Sequence, residues 1–218
     1  MKQLTFHLPD HRPLIKICGL TRPENALACA KAGADAIGLV FFEKSPRNVS
    51  METARSVTRV LPAHILTCGV FVDESFEFIM ERVEHCGFSA VQLHGRESAT
   101  LVEKLANQNL LVIKALFATH KPDLSDAHLY EAASFCLVEY GKGILPGGNA
   151  ESWDYGLSAG LSTRLPLMLA GGLTPGNVQK AIQIANPMAV DVSSGVEKAY
   201  GLKDMKKVTA FIHKIRSI

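Results

Sequence analysis

The amino-acid sequence predicts an α/β fold, a single (β/α)₈ barrel, on three observations. Eight short apolar runs recur along the chain, and amphipathic segments with helical periodicity separate them. The units are evenly spaced at roughly 25 residues, and the 218 residues suit one such barrel, which needs roughly 200–250. No glycine-rich dinucleotide fingerprint follows the first run, which favours a closed barrel over an open doubly wound sheet.

Each apolar run is predicted to be a parallel strand. The runs are rich in Val, Ile and Leu and lack polar alternation, as expected for strands that are covered on both faces. The predicted strands are Leu14–Cys18, Ala36–Phe41, Ile65–Val72, Ala90–His94, Leu110–Leu116, Phe135–Glu139, Leu167–Ala170 and Ala189–Ser193.

The segments between the strands predict helices. Thr21–Glu24 has the pattern of a capping box with a proline in the first turn, and Ser50 and Thr174 are predicted N-caps. No linker interrupts the series, so residues 14–218 are expected to form one domain behind an N-terminal extension of residues 1–13. The predicted helices include Pro23–Ala32, Met51–Leu61, Ser75–His85, Ser98–Gln108, Pro175–Ala185 and Asp204–Arg216.

Composition and charge exclude several classes of protein. The chain is 47% hydrophobic and 20% charged, which is typical of a soluble globular protein. Its longest apolar runs are far shorter than the roughly 18 residues of a membrane-spanning helix, and residues 1–13 lack the apolar segment of a secretion signal. The net charge is +2 and no basic stripe is visible, so we expect neither a membrane nor a nucleic-acid partner.

The cysteines indicate a reducing compartment. They are odd in number and form no CxxC pair, which argues against a disulfide framework or a zinc site and favours the cytoplasm. The five cysteines are Cys18, Cys29, Cys68, Cys86 and Cys136.

Polar residues stand at or near the ends of several predicted strands, where barrels of this class carry their active sites. This pattern is hard to explain by packing alone. The residues are Cys18, Arg47, Asp73, His94, Lys114, Glu139, Gly171, Gly172 and Ser193–Gly195.

Cys18 is the candidate base. It shares a strand face with Lys16, because alternate side chains point to the same side. A neighbouring ammonium favours the thiolate, so the pKa of Cys18 is expected to lie nearer neutrality. The alternative is a structural cysteine beside a lysine that reaches solvent.

Two further side chains are candidates for orienting a substrate. His94 shares a strand face with Gln92, and we expect it to contact the substrate or lie near its phosphate. Arg47 follows the second strand, and its guanidinium can clamp a carboxylate with two hydrogen bonds.

The loops after the last two strands carry the pattern of a phosphate site. Glycine lets backbone amides approach an anion closely, and the N-terminus of a following helix favours negative charge. Paired loops after strands seven and eight are the frequent phosphate site of these barrels. The residues expected to bind substrate there are Gly171, Gly172, Asp191, Ser193, Ser194 and Gly195.

Together these motifs resemble the phosphoribosylanthranilate isomerase family. They follow one another in the family's order and cover the chain from Leu14 onward. The matching segments are KICGLT at 16–21, GLVFF at 38–42 with SPR at 45–47, GVFVD at 69–73, VQLHG at 91–95, AGGLTP at 170–175 and VDVSSGVE at 190–197.

The resemblance implies an Amadori rearrangement in tryptophan biosynthesis, on a (β/α)₈ barrel without metal or cofactor. N-(5-phosphoribosyl)anthranilate becomes 1-(2-carboxyphenylamino)-1-deoxyribulose 5-phosphate. An acid protonates the furanose ring oxygen, the ring opens to a Schiff base, and a base removes the C2′ proton. By resemblance Cys18 is that base, Arg47 holds the anthranilate carboxylate, and the last two loops hold the phosphate.

One position departs from the family pattern. The family places Asp at the end of strand six as the general acid, whereas this chain has Glu139, which is one methylene longer. Burial can raise the pKa of a Glu so that it serves as an acid, and Asp154 is expected to cap a helix instead. The glycine-rich loop over 141–150 also differs, and it is predicted to be a mobile lid.

Two alternatives are weaker. A histidine-pathway aminoaldose–ketose isomerase would have Asp in place of Cys18, and its second phosphate would not suit the acidic Asp73–Ser75 loop. A catalytically silent sugar-phosphate-binding barrel is the second alternative, because the acid is altered. Either a monomer or a homodimer is compatible with these motifs.

Overall fold

The computed structural model describes residues 12–141, 153–161 and 165–218. Most of the expected extension over residues 1–13, and all but the first residue of the loop over 141–150, lie outside the described residues. The prediction that this loop is a lid therefore stays a prediction.

Eight parallel strands close into a barrel in sequence order, so the predicted fold is confirmed. Predicted and observed strands coincide or differ by one residue at one or both ends. The register places Lys16 of the first strand beside Ala36 of the second and Asp191 of the eighth. The strands are β1 (Leu14–Cys18), β2 (Ala36–Phe41), β3 (Leu66–Phe71), β4 (Ala90–Leu93), β5 (Leu111–Phe117), β6 (Phe135–Glu139), β7 (Leu167–Leu169) and β8 (Ala189–Val192).

Helices on the outside connect most of the strands. Short 3₁₀ helices at Leu124–Tyr130 and Tyr155–Leu161 follow β5 and β6, and a small hairpin of β9 (Glu197–Ala199) and β10 (Leu202–Lys203) follows β8. None of the helices in the described ranges combines the length and apolar character needed to cross a bilayer. The α-helices are α1 (Pro23–Lys31), α2 (Met51–Val60), α3 (Phe76–Cys86), α4 (Ala99–Ala106), α5 (Val178–Ala185) and α6 (Met205–Arg216).

Local signals at the helix starts were partly wrong. Ser50 caps α2 as predicted, by accepting a hydrogen bond from Thr53 N. The predicted capping box does not form, because Arg22 is the N-cap of α1 and the Thr21 hydroxyl donates to the Gly201 carbonyl instead. Thr174 likewise does not cap α5, which begins after Asn177.

The strands are buried on both faces and separate two apolar clusters. Outward-facing side chains such as Ile17 and Val91 pack beneath the helices. Inward-facing side chains such as Leu14, Cys18 and Leu137 fill the barrel interior. The interior therefore contains the predicted face of β1 that carries Cys18.

Candidate active site

A pocket opens at the C-terminal ends of the strands. The structure brings every candidate catalytic and substrate-binding residue to this pocket. Its lining includes Cys18, Arg47, His94, Glu139, Gly171, Gly172, Asp191, Ser193, Ser194 and Gly195.

Cys18 lies at the floor of the pocket beside a buried ion pair. Lys16 points into the barrel and its Nζ donates to Asp191 Oδ1 at 2.9 Å. Burial works against the charge of Lys16, but Asp191 and the nearby thiols outweigh it and raise the lysine pKa. The lysine is therefore a buried ammonium, and the alternative in which it reaches solvent is wrong.

The expected thiolate-favouring shift at Cys18 is also wrong. Burial is the largest influence and raises the pKa of the thiol above its usual value. Lys16 and Lys203 lower it, but Asp191 raises it and offsets part of their charge. The sequence shows Lys16 near Cys18, but it shows neither the burial of the thiol nor the pairing of Lys16 with Asp191. Burial and Asp191 thus favour the neutral thiol of Cys18 over its thiolate.

Glu139 ends β6 and meets His94 across the pocket. His94 Nε2 lies 3.1 Å from Glu139 Oε1, and His94 Nδ1 lies 2.8 Å from Gln92 Nε2. All three side chains are buried. The extra methylene of Glu139 thus leaves its carboxyl inside the pocket, hydrogen-bonded to a second candidate residue.

Arg47 is buried and makes a bidentate contact that was not predicted, with the carboxylate of Glu197 in the chain itself. Its Nε and Nη2 donate to the two oxygens of Glu197 at 2.9 and 2.6 Å. Lys203 Nζ donates to the same carboxylate at 2.8 Å. Burial favours the neutral acid, but the hydrogen bond from Arg47 and the charge of Lys203 outweigh it and lower the pKa of Glu197.

This second ion cluster was missed by sequence reasoning. Glu197 ends the motif after β8, and Lys203 follows only six residues later, but nothing in their spacing indicated Arg47 as a partner. Lys203 Nζ also lies within hydrogen-bonding distance of Ser193 Oγ, at 3.3 Å. The cluster therefore joins the guanidinium to the loop after β8.

The two candidate phosphate loops pack against each other. Gly171 and Gly172 both have positive φ, at 83° and 64°, which only glycine adopts readily. Asn177 ties their loop together by donating to the Gly172 carbonyl and accepting from Thr174 N. A side chain at Gly195 would overlap the Leu173 carbonyl oxygen, so glycine is required where the loops meet.

Two strand-end residues singled out by sequence do not line the pocket. Lys114 is fully buried and its Nζ donates to Glu97 Oε2 at 2.8 Å and to the Gly95 carbonyl at 2.7 Å. Asp73 N donates to the same Glu97 carboxylate. Glu97 was not predicted, and this cluster holds the loop that follows His94. Asp154 accepts from Gly156 N at the start of a 3₁₀ helix, which fits its expected capping role.

Comparisons with known proteins agree with this geometry. The family model of N-(5′-phosphoribosyl)anthranilate (PRA) isomerase matches residues 15–214. The N-(5′-phosphoribosyl)anthranilate isomerase of Desulfatibacillum aliphaticivorans is 50% identical over 91% of this chain and 90% of its own length. The chain belongs to the PRA isomerase family.

Solved structures of PRA isomerases share the fold. One, in complex with reduced 1-(o-carboxyphenylamino)-1-deoxyribulose 5-phosphate, aligns with a TM-score of 0.84 at 38% identity, over 94% of this chain and all of that one. Another, of monomers generated from the dimeric enzyme of Thermotoga maritima, aligns with a TM-score of 0.83 at 37% identity and the same coverage. The PRA isomerase family thus accounts for nearly the whole chain.

Proposed function

We propose that the pocket performs the family's rearrangement with Cys18 as the base and Glu139 as the acid. The reaction itself is the isomerisation of N-(5-phosphoribosyl)anthranilate in tryptophan biosynthesis, an intramolecular aldose–ketose conversion. The observation that carries the residue assignment is the placement of both side chains in the one pocket that also holds Arg47 and the two glycine loops.

Glu139 would act first. Its proton passes to the furanose ring oxygen, the bond from C1′ to that oxygen breaks, and the lone pair of the anthranilate nitrogen forms the C1′=N bond of a Schiff base. His94 would donate to the carboxylate left behind, and an N–H donor stabilises a carboxylate more strongly than a neutral acid.

Cys18 would act second. Its thiolate takes the C2′ proton, the electrons of that bond form C1′=C2′, and the nitrogen regains its lone pair. The enolamine then tautomerises to the ketone. A raised pKa means that less thiolate is present but that the thiolate is more basic, which suits removal of a proton from carbon.

The two anionic ends of the substrate would be held apart. We propose that Arg47 binds the anthranilate carboxylate, because Glu197 already fixes the plane of its guanidinium and Nη1 has no partner among the described residues. The loops at Gly171–Gly172 and Ser193–Gly195 would hold the phosphate, aided by the start of α5. Fixing both ends holds C2′ over the thiol, which lowers the barrier by positioning alone.

The wider setting is also proposed. The partner is a small phosphosugar, and neither metal nor cofactor is needed for these steps. The free cysteines favour the cytoplasm, and the chain acts as a monomer or as a homodimer. Family membership favours neither the histidine-pathway alternative nor the silent binding barrel.

Fluorescence of the anthranilate group follows turnover directly. We expect the wild-type chain to convert N-(5-phosphoribosyl)anthranilate, and Glu139→Gln to lower kcat by about 10²–10⁴-fold, the usual share of a general acid. Asp154→Asn is the matched control, a carboxyl lost beside a 3₁₀ helix, and its kcat should stay near that of the wild type. An unchanged kcat in Glu139→Gln would remove the acid assignment.

A further inference from the structure

The side-chain carbonyl of Gln92 is an atom that the proposed steps leave unexplained. Gln92 lies on β4, is 1% exposed and lines the pocket. Its Oε1 is buried and has no hydrogen-bond partner among the described residues. A buried acceptor without a donor destabilises a fold, and a donor on a bound substrate would satisfy it.

The nitrogen of the same amide fixes the protonation of His94. Gln92 Nε2 can only donate, and it lies 2.8 Å from His94 Nδ1. Nδ1 must then carry a lone pair, so the proton of the neutral ring sits on Nε2. His94 Nε2–H in turn points to Glu139 Oε1 at 3.1 Å.

This tautomer decides which oxygen of Glu139 can act on the substrate. Oε1 accepts from His94, whereas Oε2 has no partner among the described residues. A protonated Glu139 therefore carries its proton on Oε2. The opposite tautomer would turn the lone pair of His94 Nε2 toward Glu139, which would then donate its proton to the ring.

We propose that Gln92 binds the substrate through Oε1 and, through His94, orients Glu139 for proton transfer. Oε1 would accept a hydrogen bond from a hydroxyl of the ribose or from the N–H of the anthranilate amine, the donors that the substrate carries. A hydrogen-bonded chain then runs from substrate to amide, imidazole and acid, and each bond polarises the next. This inference rests on the proposed role of Glu139 as the acid.

A hydrogen-bond-free variant of equal length separates this role from a structural one. In Gln92→Met we expect kcat to fall about 10-fold or more, and the affinity for reduced 1-(o-carboxyphenylamino)-1-deoxyribulose 5-phosphate to fall by roughly fivefold, the loss of about one hydrogen bond. The melting temperature should change little, because the unpaired Oε1 disappears while His94 Nδ1 loses its donor. Gln108→Met, an exposed site after α4, is the matched control and should change none of these quantities.

The tautomer is read directly from ¹⁵N chemical shifts of His94. We expect the proton on Nε2 in the wild type, a mixture of tautomers in Gln92→Met, and the proton on Nδ1 in Gln92→Glu, whose carboxylate can only accept. Gln92→Glu should also lose at least as much kcat as Gln92→Met, which keeps the test decisive if one variant folds poorly.

Two results would overturn the inference. One is a wild-type His94 with its proton on Nδ1; the other is a Gln92→Met enzyme that matches Gln108→Met in both kcat and affinity. Failure of the underlying acid assignment looks different, because Glu139→Gln would then keep the wild-type kcat whatever the tautomer of His94.

Discussion

The two ends of the barrel interior are built from the same eight strands but serve different purposes. At the N-terminal end the strands enclose a small cavity lined by apolar side chains such as Leu14, Ile113 and Phe135. At the C-terminal end the lining contains a thiol, carboxyls, an imidazole and a guanidinium. Lys16 thus separates an apolar end of the barrel interior from a polar end of the kind that carries active sites in this fold.

Two buried thiols illustrate the difference between the two ends of the barrel interior. Cys68 lies at the apolar end, where burial raises its pKa to about 12. Cys18 is buried as well, but Lys203 as well as Lys16 lowers its pKa, and it faces the pocket. The two thiols therefore differ in what they face, since Cys18 lines the pocket and Cys68 lines the apolar cavity.

The largest effect on kcat is expected when the thiol of Cys18 is removed, and removal of the Cys68 thiol is the comparison. Cys18→Ala should lower kcat by about 10²–10⁴-fold, because the base is lost, whereas Cys68→Ala should leave kcat within about twofold. Steady-state kinetics on the two purified variants measures both. Equal losses of kcat in the two variants would show that Cys18 contributes no more to the reaction than Cys68 does.

A second prediction concerns the glycines of the two loops proposed to hold the phosphate. Gly195→Ala pushes the loop after β8 away from Leu173 and should raise KM by roughly 10-fold or more, since a displacement near 1 Å at a binding site can cost about 100-fold. Gly87→Ala at the end of α3 is the control, because its φ is also positive but its Cβ meets nothing. That variant should lose about 1–2 kcal/mol of stability, the cost of a left-handed conformation for alanine, and keep its KM. A normal KM in Gly195→Ala would argue against the phosphate assignment.

The pH dependence of the free enzyme gives a third test. Because the pKa of Cys18 is raised above the usual 9.0, the thiol is protonated at neutral pH and the thiolate fraction grows about tenfold per pH unit. We expect kcat/KM to rise with pH from about 7 to beyond 9, and to do so in Cys68→Ala as well. In Cys18→Asp, which is ionised throughout this range, the rise should vanish. A flat wild-type profile would contradict a raised pKa at the base.

The smallest effect is expected at the apolar end. Ile113→Val removes one methylene group from the N-terminal cavity and should lower the free energy of unfolding by about 0.5–1.5 kcal/mol, while kcat stays unchanged. Denaturant unfolding and steady-state kinetics on the same sample measure the two quantities. A loss of activity without a loss of stability would show that the two ends of the barrel are coupled.

The sequence predicted most of the fold because each strand and helix carries its own local periodicity. It also placed Cys18, His94, Glu139 and both glycine loops correctly, since strand ends of a closed barrel converge. It failed where distant residues decide the outcome. Thr21 does not form its predicted cap, and its hydroxyl donates to the Gly201 carbonyl instead. Arg47 pairs with Glu197, which lies 150 positions away in the chain.

The pKa of Cys18 shows the same limit in energetic terms. Lys16 is visible two residues away in the sequence, and its charge does lower the thiol pKa. Burial and the charge of Asp191, which only the closed barrel brings to β1, act in the opposite direction and prevail. The local pattern therefore placed Cys18 at the pocket but gave the wrong sign for the shift of its pKa.

A crystal structure with bound reduced 1-(o-carboxyphenylamino)-1-deoxyribulose 5-phosphate would test the central claim most directly. We expect Cys18 Sγ about 3–3.5 Å from C2′ and an oxygen of Glu139 about 2.6–3.2 Å from the hydroxyl that was the ring oxygen. A Glu139 carboxyl turned away from the sugar, with Asp191 or water at that hydroxyl, would contradict it.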